Sequence, residues 1–220
     1  MPAWLRSFAA LAAVALSLAA PPALAQEDAT VPPEQATAFI QDLSGKAIDV
    51  LRDTSKTEDQ REAIFRGLLK DGFDMDFIGR FVLGVNWRRA SDQQREEYQE
   101  LFNEYVLKTY SARLGGFTNE EFKIVGTQPA GKKDIMVNSQ VIRQDGPPVT
   151  ADWRLRLVDG APKIIDVVVE GVSMSISQRQ EFASVVQSKG IDGLLETLRA
   201  RIKTDAPAKA DQGGNVQSGT

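Results

Sequence analysis

Apolar and polar positions follow two different rhythms along this chain, and the change between them divides it. In ATVPPEQATAFIQDLSGKAIDVLRD, the residues Ala36, Phe39, Ile40, Leu43, Ala47, Ile48 and Leu51 recur at helical spacing, the stripe of an amphipathic helix. Thr57 caps a second helix, EDQREAIFRGLLKDG, in which Ala63, Ile64, Leu68 and Leu69 make a narrower stripe and Gly72 is the stop signal. The third, DMDFIGRFVLG, carries Phe77, Ile78, Phe81 and Val82 and is apolar on nearly every side, which predicts burial on several faces. Ser91 and Asp92 open the longest pattern, with Tyr98, Leu101, Phe102, Tyr105, Val106, Thr109 and Tyr110 down one side and Gly115 and Gly116 closing it.

From Glu121 the period falls to two. FKIVGTQ, DIMVNSQVIRQ, PVTADWRLRLV and KIIDVVVEGVSM are separated by PAGKKD, DGPP and DGAP, good turn chemistry for short loops. Consecutive strands on short loops predict an antiparallel meander. The third strand alternates cleanly, with Val149, Ala151, Trp153, Leu155 and Leu157 on one face and Thr150, Asp152, Arg154 and Arg156 on the other, so the sheet has one dry face and one wet. The fourth strand puts Ile165, Val167 and Val169 on one face and Ile164, Val168 and Val172 on the other, as in a strand buried on both sides. Two helical patterns follow, SISQRQEFASVVQSKG and GIDGLLETLRARIK. No internal repeat interrupts this order. The expectation is an α+β domain in which a four-stranded curved antiparallel sheet packs its dry face on a helical layer.

The termini change the picture. Leu5 to Ala20 is an apolar run behind Arg6, followed by PPALAQ with small residues at Ala23 and Ala25, the pattern of a secretory signal. Residues 1–25 are expected to be cleaved, 26–204 to form the domain and 205–220 to be a disordered tail, since APAKADQGGNVQSGT has little to bury. Cleavage removes one base and no acid from a chain of net charge −4, so nucleic acid is a poor partner. Secretion without a cysteine or a second membrane segment leads by elimination to a bacterial periplasm.

Composition also removes chemistry. The chain holds no histidine and no cysteine, so Ser-His-Asp and Cys-His catalysis and imidazole or thiolate metal sites cannot be built. No acidic calcium loop is present, and GKKD at Gly131 is a hairpin turn rather than a phosphate loop. Carboxylate chemistry survives, with Asp166 as a general base in an apolar pocket and Tyr105 or Tyr110 as the acid. The plainer alternative places Asp166 and Glu170 on the face of Arg154 and Arg156, satisfied by cross-strand ion pairs. For the many aromatics, plain core competes with the wall of an apolar cavity.

The stretches DFIGRFVLGVNWRRASDQQREEYQELFNEYVLKTYSARL and KIIDVVVEGVSMSISQRQEFASVVQSKGIDGLLETL closely resemble the MlaC family of periplasmic phospholipid-binding proteins, also known as toluene-tolerance auxiliary components of ABC transporters. The resemblance runs from about Val31 to Lys203. It implies a lipid carrier, not an enzyme, without cofactor or metal, whose cargo is a phospholipid with its tails in a pocket between sheet and helices. The implied partners are an outer-membrane lipoprotein complex and the lipid-binding subunit of an inner-membrane ABC transporter. On this reading Phe77, Phe81, Val82, Tyr105, Tyr110, Val137, Trp153, Leu155, Val167 and Val169 are candidates for the tails. Arg154, Arg156, Glu170 and Arg179 are candidates for the head group or a partner, with a solvated surface as the plain alternative. A hopanoid or other polycyclic lipid fits the same walls. An isomerase-like enzyme and a ligand-free adaptor are the remaining readings.

Overall fold

The computed structural model describes residues 30–114, 120–143 and 146–204. The expected signal and tail segments therefore lie outside the described residues. Helix α1 spans Pro33–Arg52, with proline in its first turn where no backbone N–H is needed. Helix α2, Glu58–Gly72, starts at a reciprocal capping box: the Thr57 hydroxyl accepts from Gln60 N while the Gln60 side chain accepts from Thr57 N. Such a cap contributes about 1 kcal/mol. The inward stripe of α2 differs from expectation, because Phe65 is buried while Ala63 faces out.

Helix α3 is Met75–Leu83, capped by the Asp74 carboxylate on Phe77 N at 3.0 Å. A 3-10 turn, Gly84–Arg88, joins it to α4, Asp92–Leu114. The strands are β1 (Glu121–Pro129), β2 (Asp134–Ile142), β3 (Val149–Val158), β4 (Ala161–Val169) and a two-residue β5 (Val172–Ser173). They form one antiparallel sheet in sequence order, with five strands where four were expected. The extra strand arises because Glu170 and Gly171 both take positive φ, closing a tight two-residue hairpin on β4. The two C-terminal helical patterns run together as α5, Met174–Thr204, bent at Gly190 (φ 72°, ψ −178°).

The alternation expected on β4 is interrupted. Arg154 faces Asp166 but the next residue, Leu155, faces Ile164, so Ile165 is an extra residue in a β-bulge. This brings Ile164 onto the dry face beside Leu155, instead of the opposite face that strict alternation gives. Phe73 then forms a parallel bridge to Ile164 at the free edge of β4.

Three clusters fill the domain. Ala36 and Ile40 of α1, with Val31, pack on Ile135, Val137, Leu155 and Ile164 of the sheet. Val50, Phe65 and Leu107 join α1, α2 and α4. The third is made by helices alone: Val82 and Leu83 of α3, Tyr98, Phe102 and Tyr105 of α4, and Phe182, Leu194, Leu195 and Leu198 of α5. The principal packing of α4 is against α2, α3 and α5 rather than against a strand. No described helix is long and apolar enough to cross a membrane.

Candidate functional site: an apolar sheet face covered at one end

Strand register arranges the dry face in rows. Ile135, Leu155 and Ile164 make one end row, and all are buried beneath α1. Val137, Trp153 and Val167 make the next, Ser139, Ala151 and Val169 the third, and Val141 with Val149 the last, flanked by Phe122 of β1. Burial is uneven beyond the first row: Val137, Ser139 and Ala151 are buried, and most of their neighbours are not. Val141, Val149, Val167, Val169, Phe122 and Ile124 are only half-buried, although an apolar sheet face ordinarily covers itself fully when the core allows. Helix α1 packs on β1, β2 and the Ile164 part of β4, and Arg52 at its end donates to Glu120 O at 3.3 Å. The open corner is therefore formed by the start of β3 and the end of β4.

Trp153 lies along this face. Its indole Nε1 donates to Ser139 Oγ at 3.0 Å, and its ring meets Phe122 edge-on, with centroids 6.3 Å apart. The Ser139 hydroxyl in turn donates to Ala151 O. The polar atoms on the floor of the corner thus satisfy each other, and what remains toward the opening is hydrocarbon.

The candidate tail residues fall into two groups. Val137, Trp153, Leu155 and Val167 come together on the sheet with Val169 beside them. Val82 and Tyr105 are buried in the helical cluster, with Phe81 packed against it. There the Tyr105 hydroxyl donates to Gln178 Oε1 at 3.3 Å and accepts from Arg201, which also pairs with Glu181. Phe77 stacks on Phe81 at 6.3 Å, while Tyr110 is half-buried on α4.

The polar candidates are engaged elsewhere than expected. Arg154 and Arg156 both bind Asp134, at 2.8 and 2.6 Å through their Nε atoms. Asp134 has only 2% of its side chain exposed, and its hydrogen bonds hold the Arg156 guanidinium above its ordinary range. The Arg156 guanidinium also lies 4.8 Å from the Phe77 ring centroid. Sequence reading passed over Asp134, yet its place opposite Arg156 was available from strand pairing. The expected ion pairs of Asp166 and Glu170 are replaced by other bonds. Asp166 accepts from Val167 N, Ser175 N and Ser173 Oγ at 2.9, 3.1 and 2.6 Å, and Ser173 Oγ caps α5 by accepting from Ile176 N. Both carboxylate oxygens thus take part in holding the start of α5, Oδ1 through Ser175 N and Oδ2 through Ser173 Oγ. The Glu170 carboxylate accepts from Thr150 N and Oγ1, pinning the hairpin turn to β3. Arg179 stacks on Phe81 with 5.1 Å between guanidinium and ring.

A concavity of about 460 Å³ between the start of α4 and the second half of α5 is lined by Gln94, Glu97, Asp192 and Arg199 among others. Its polar groups bond one another, Gln94 to Asp192 at 2.7 Å and Arg199 to Glu97. Polar groups make up most of its lining.

Helices packed on one antiparallel sheet whose apolar face is only partly covered make this an α+β domain. The family model described as MlaC protein matches residues 41–200, and the chain belongs to the MlaC family. It is 26% identical over 140 residues to a Haemophilus influenzae protein named intermembrane phospholipid transport system binding protein MlaC, covering 62% of this chain and 65% of that protein. It is 24% identical over 120 residues to the toluene tolerance protein ttg2D of Pseudomonas putida, covering 54% and 56%. The chain thus matches less than two thirds of either relative's length. In three dimensions it resembles the phospholipid-binding protein of Ralstonia solanacearum solved in complex with a phospholipid, with a TM-score of 0.68 at 20% identity, covering 78% of this chain and 98% of that one. The helices and antiparallel sheet expected from sequence are those of this fold.

Proposed function

We propose that this chain is a periplasmic lipid carrier that shelters the acyl tails of a phospholipid against the half-covered sheet face and passes it between membranes. The observation that carries the reading is the group of half-buried apolar side chains on one sheet face, Phe122, Val141, Val149, Val167 and Val169, in a member of a family whose relatives bear phospholipid-transport names. Each methylene exposed to water costs about 0.8 kcal/mol, so a tail of roughly a dozen carbons faces a desorption cost of about 10 kcal/mol. A carrier lowers that barrier by keeping the tails on hydrocarbon while the head group stays wet. The delivering and receiving partners would be an outer-membrane lipoprotein complex and the lipid-binding subunit of an inner-membrane ABC transporter. Direction must come from their differing affinities, because a carrier alone only equilibrates.

The test is native mass spectrometry of the protein purified from the periplasm without detergent, followed by solvent extraction of the bound molecule. One diacyl phospholipid per chain supports the proposal. A hopanoid keeps the carrier and changes its cargo; an empty protein removes the carrier reading and leaves an adaptor.

A further inference from the structure

Beyond the lipid-bearing corner, the chain has a surface of different chemistry where α3, the 3-10 turn and the start of α5 meet. Of the four large apolar side chains that stand exposed among the described residues, two belong to these segments, Val85 at 53% and Ile176 at 48%, and a third, Val172, lies in β5 just before α5. The same segments carry Arg80, Arg88, Arg89 and Arg179. Elsewhere several arginines hold carboxylates, as in Arg66 with Glu104, Arg154 and Arg156 with Asp134, Arg199 with Glu97 and Arg201 with Glu181, and Arg52, Arg61 and Arg143 donate to backbone carbonyls. None of the four here makes an ion pair with a described residue.

Two of these guanidinium groups are held in place by aromatic rings. Arg80 lies 5.4 Å from the Trp87 ring and Arg179 lies 5.1 Å from the Phe81 ring. Arg179 also closes against Gly84, where an added Cβ would stand 2.9 Å from its Nε. Phe81, Gly84 and Arg179 are thus contiguous, with Val85 next in the chain and Ile176 one turn before Arg179. A guanidinium held over a ring has already given up much of its rotamer freedom, so pairing its N–H groups costs less.

We infer that this surface docks a protein partner presenting carboxylates around an apolar centre. Two observations favour a protein over an anionic bilayer. The basic residues of 71–107 and 164–188 are all arginine, with no lysine in either stretch, and protein interfaces enrich arginine and deplete lysine. The exposed apolar groups are Val and Ile, without the Trp and Tyr that settle at membrane interfaces. The arrangement of pre-set arginines about an aliphatic centre supplies both anchors and charge complementarity.

None of the probed residues, Val85, Ile176, Arg88 and Arg89, is among those assigned to the corner, so the test is read apart from cargo. A photo-crosslinking amino acid placed at 85 or 176 in the full chain, in its native cells, is compared with the same probe at Val125, exposed on β1. The expected result is one common protein adduct from 85 and 176, absent from 125, whose crosslinked peptide is rich in Asp and Glu. The double variant R88E/R89E, both positions exposed, should lower its yield at least tenfold while native mass spectrometry finds the bound lipid unchanged. Adducts equal at all three positions, adducts indifferent to R88E/R89E, or crosslinks to lipid alone overturn the inference. Co-sedimentation of the purified chain with phosphatidylglycerol vesicles, lost in R88E/R89E, would instead assign the surface to a membrane.

Discussion

Tyr98 sits at the centre of the helical cluster, its ring against Trp87, Phe102 and Phe182 and its hydroxyl donating to Gly79 O at 3.1 Å. Burial raises its pKa well above the ordinary 10.0 because the phenolate cannot be hydrated there. The stability this group contributes is complete below the unfolded-state value near 10 and is lost as pH climbs toward the raised folded value. Urea unfolding of wild type and Tyr98→Phe between neutral and strongly alkaline pH should therefore show the wild-type advantage shrinking above that point, and a constant gap would discredit the assignment. On the other side of the molecule, Asp134→Ala leaves two arginines without their shared carboxylate. Because Arg154 and Arg156 keep 40% and 30% of their side chains exposed, the expected loss is about 2 kcal/mol rather than the larger figure for a fully buried pair. A urea midpoint within experimental error of wild type would contradict this account.

At the scale of elements, the bend in α5 rests on Gly190, whose backbone angles few other residues adopt. No atom lies within 4 Å of an added Cβ there, so Gly190→Ala tests conformation alone. It should cost about 1–3 kcal/mol, read as a lowered melting temperature, with no change if the bend is imposed by packing instead. Most elements were legible because their signals are local: the Thr57 cap, the Gly72 stop and the period change at Glu121 all lie within a few residues of the boundary they set. The misses are non-local. Phe65 is drawn inward by Val50 and Leu107, contacts between three helices that the α2 pattern does not contain. The β4 bulge is decided by pairing with β3 and by Phe73. The hairpin at Glu170 was hidden because glutamate is an unusual residue at positive φ; the bonds from Thr150 hold it there.

For the molecule as a whole, the division between a packed end and an open end of the sheet governs what a lipid test should find. Val169→Asp puts a charge on the open corner and should reduce bound lipid at least tenfold in native mass spectrometry while the protein stays folded by circular dichroism. Unchanged lipid would move the tails away from β4. The site was legible only in part. Alternation identified the apolar face, naming Val137, Trp153, Leu155, Val167 and Val169, but it records which side a residue faces and not how completely another element covers it. Half-burial depends on where α1 ends over the sheet, a matter of helix placement that no strand pattern carries. The same limit explains Asp166: its spacing from Glu170 was visible, while its bonds to the start of α5 needed the chain to turn back through β5.

The bulge at Ile165 has one further effect. It separates the stretch of β4 beneath α1 and Phe73 from the strand's end, where Val169 lies beyond the Asp166 bonds to α5 and the Val167 contacts with the core, so a change at Val169 perturbs little of the packing that keeps the domain folded. The wall at Val169 is thus the place where a bulkier, shorter or ringed guest could be fitted by a single exchange, while the foundation beneath Ile164 stays as it is.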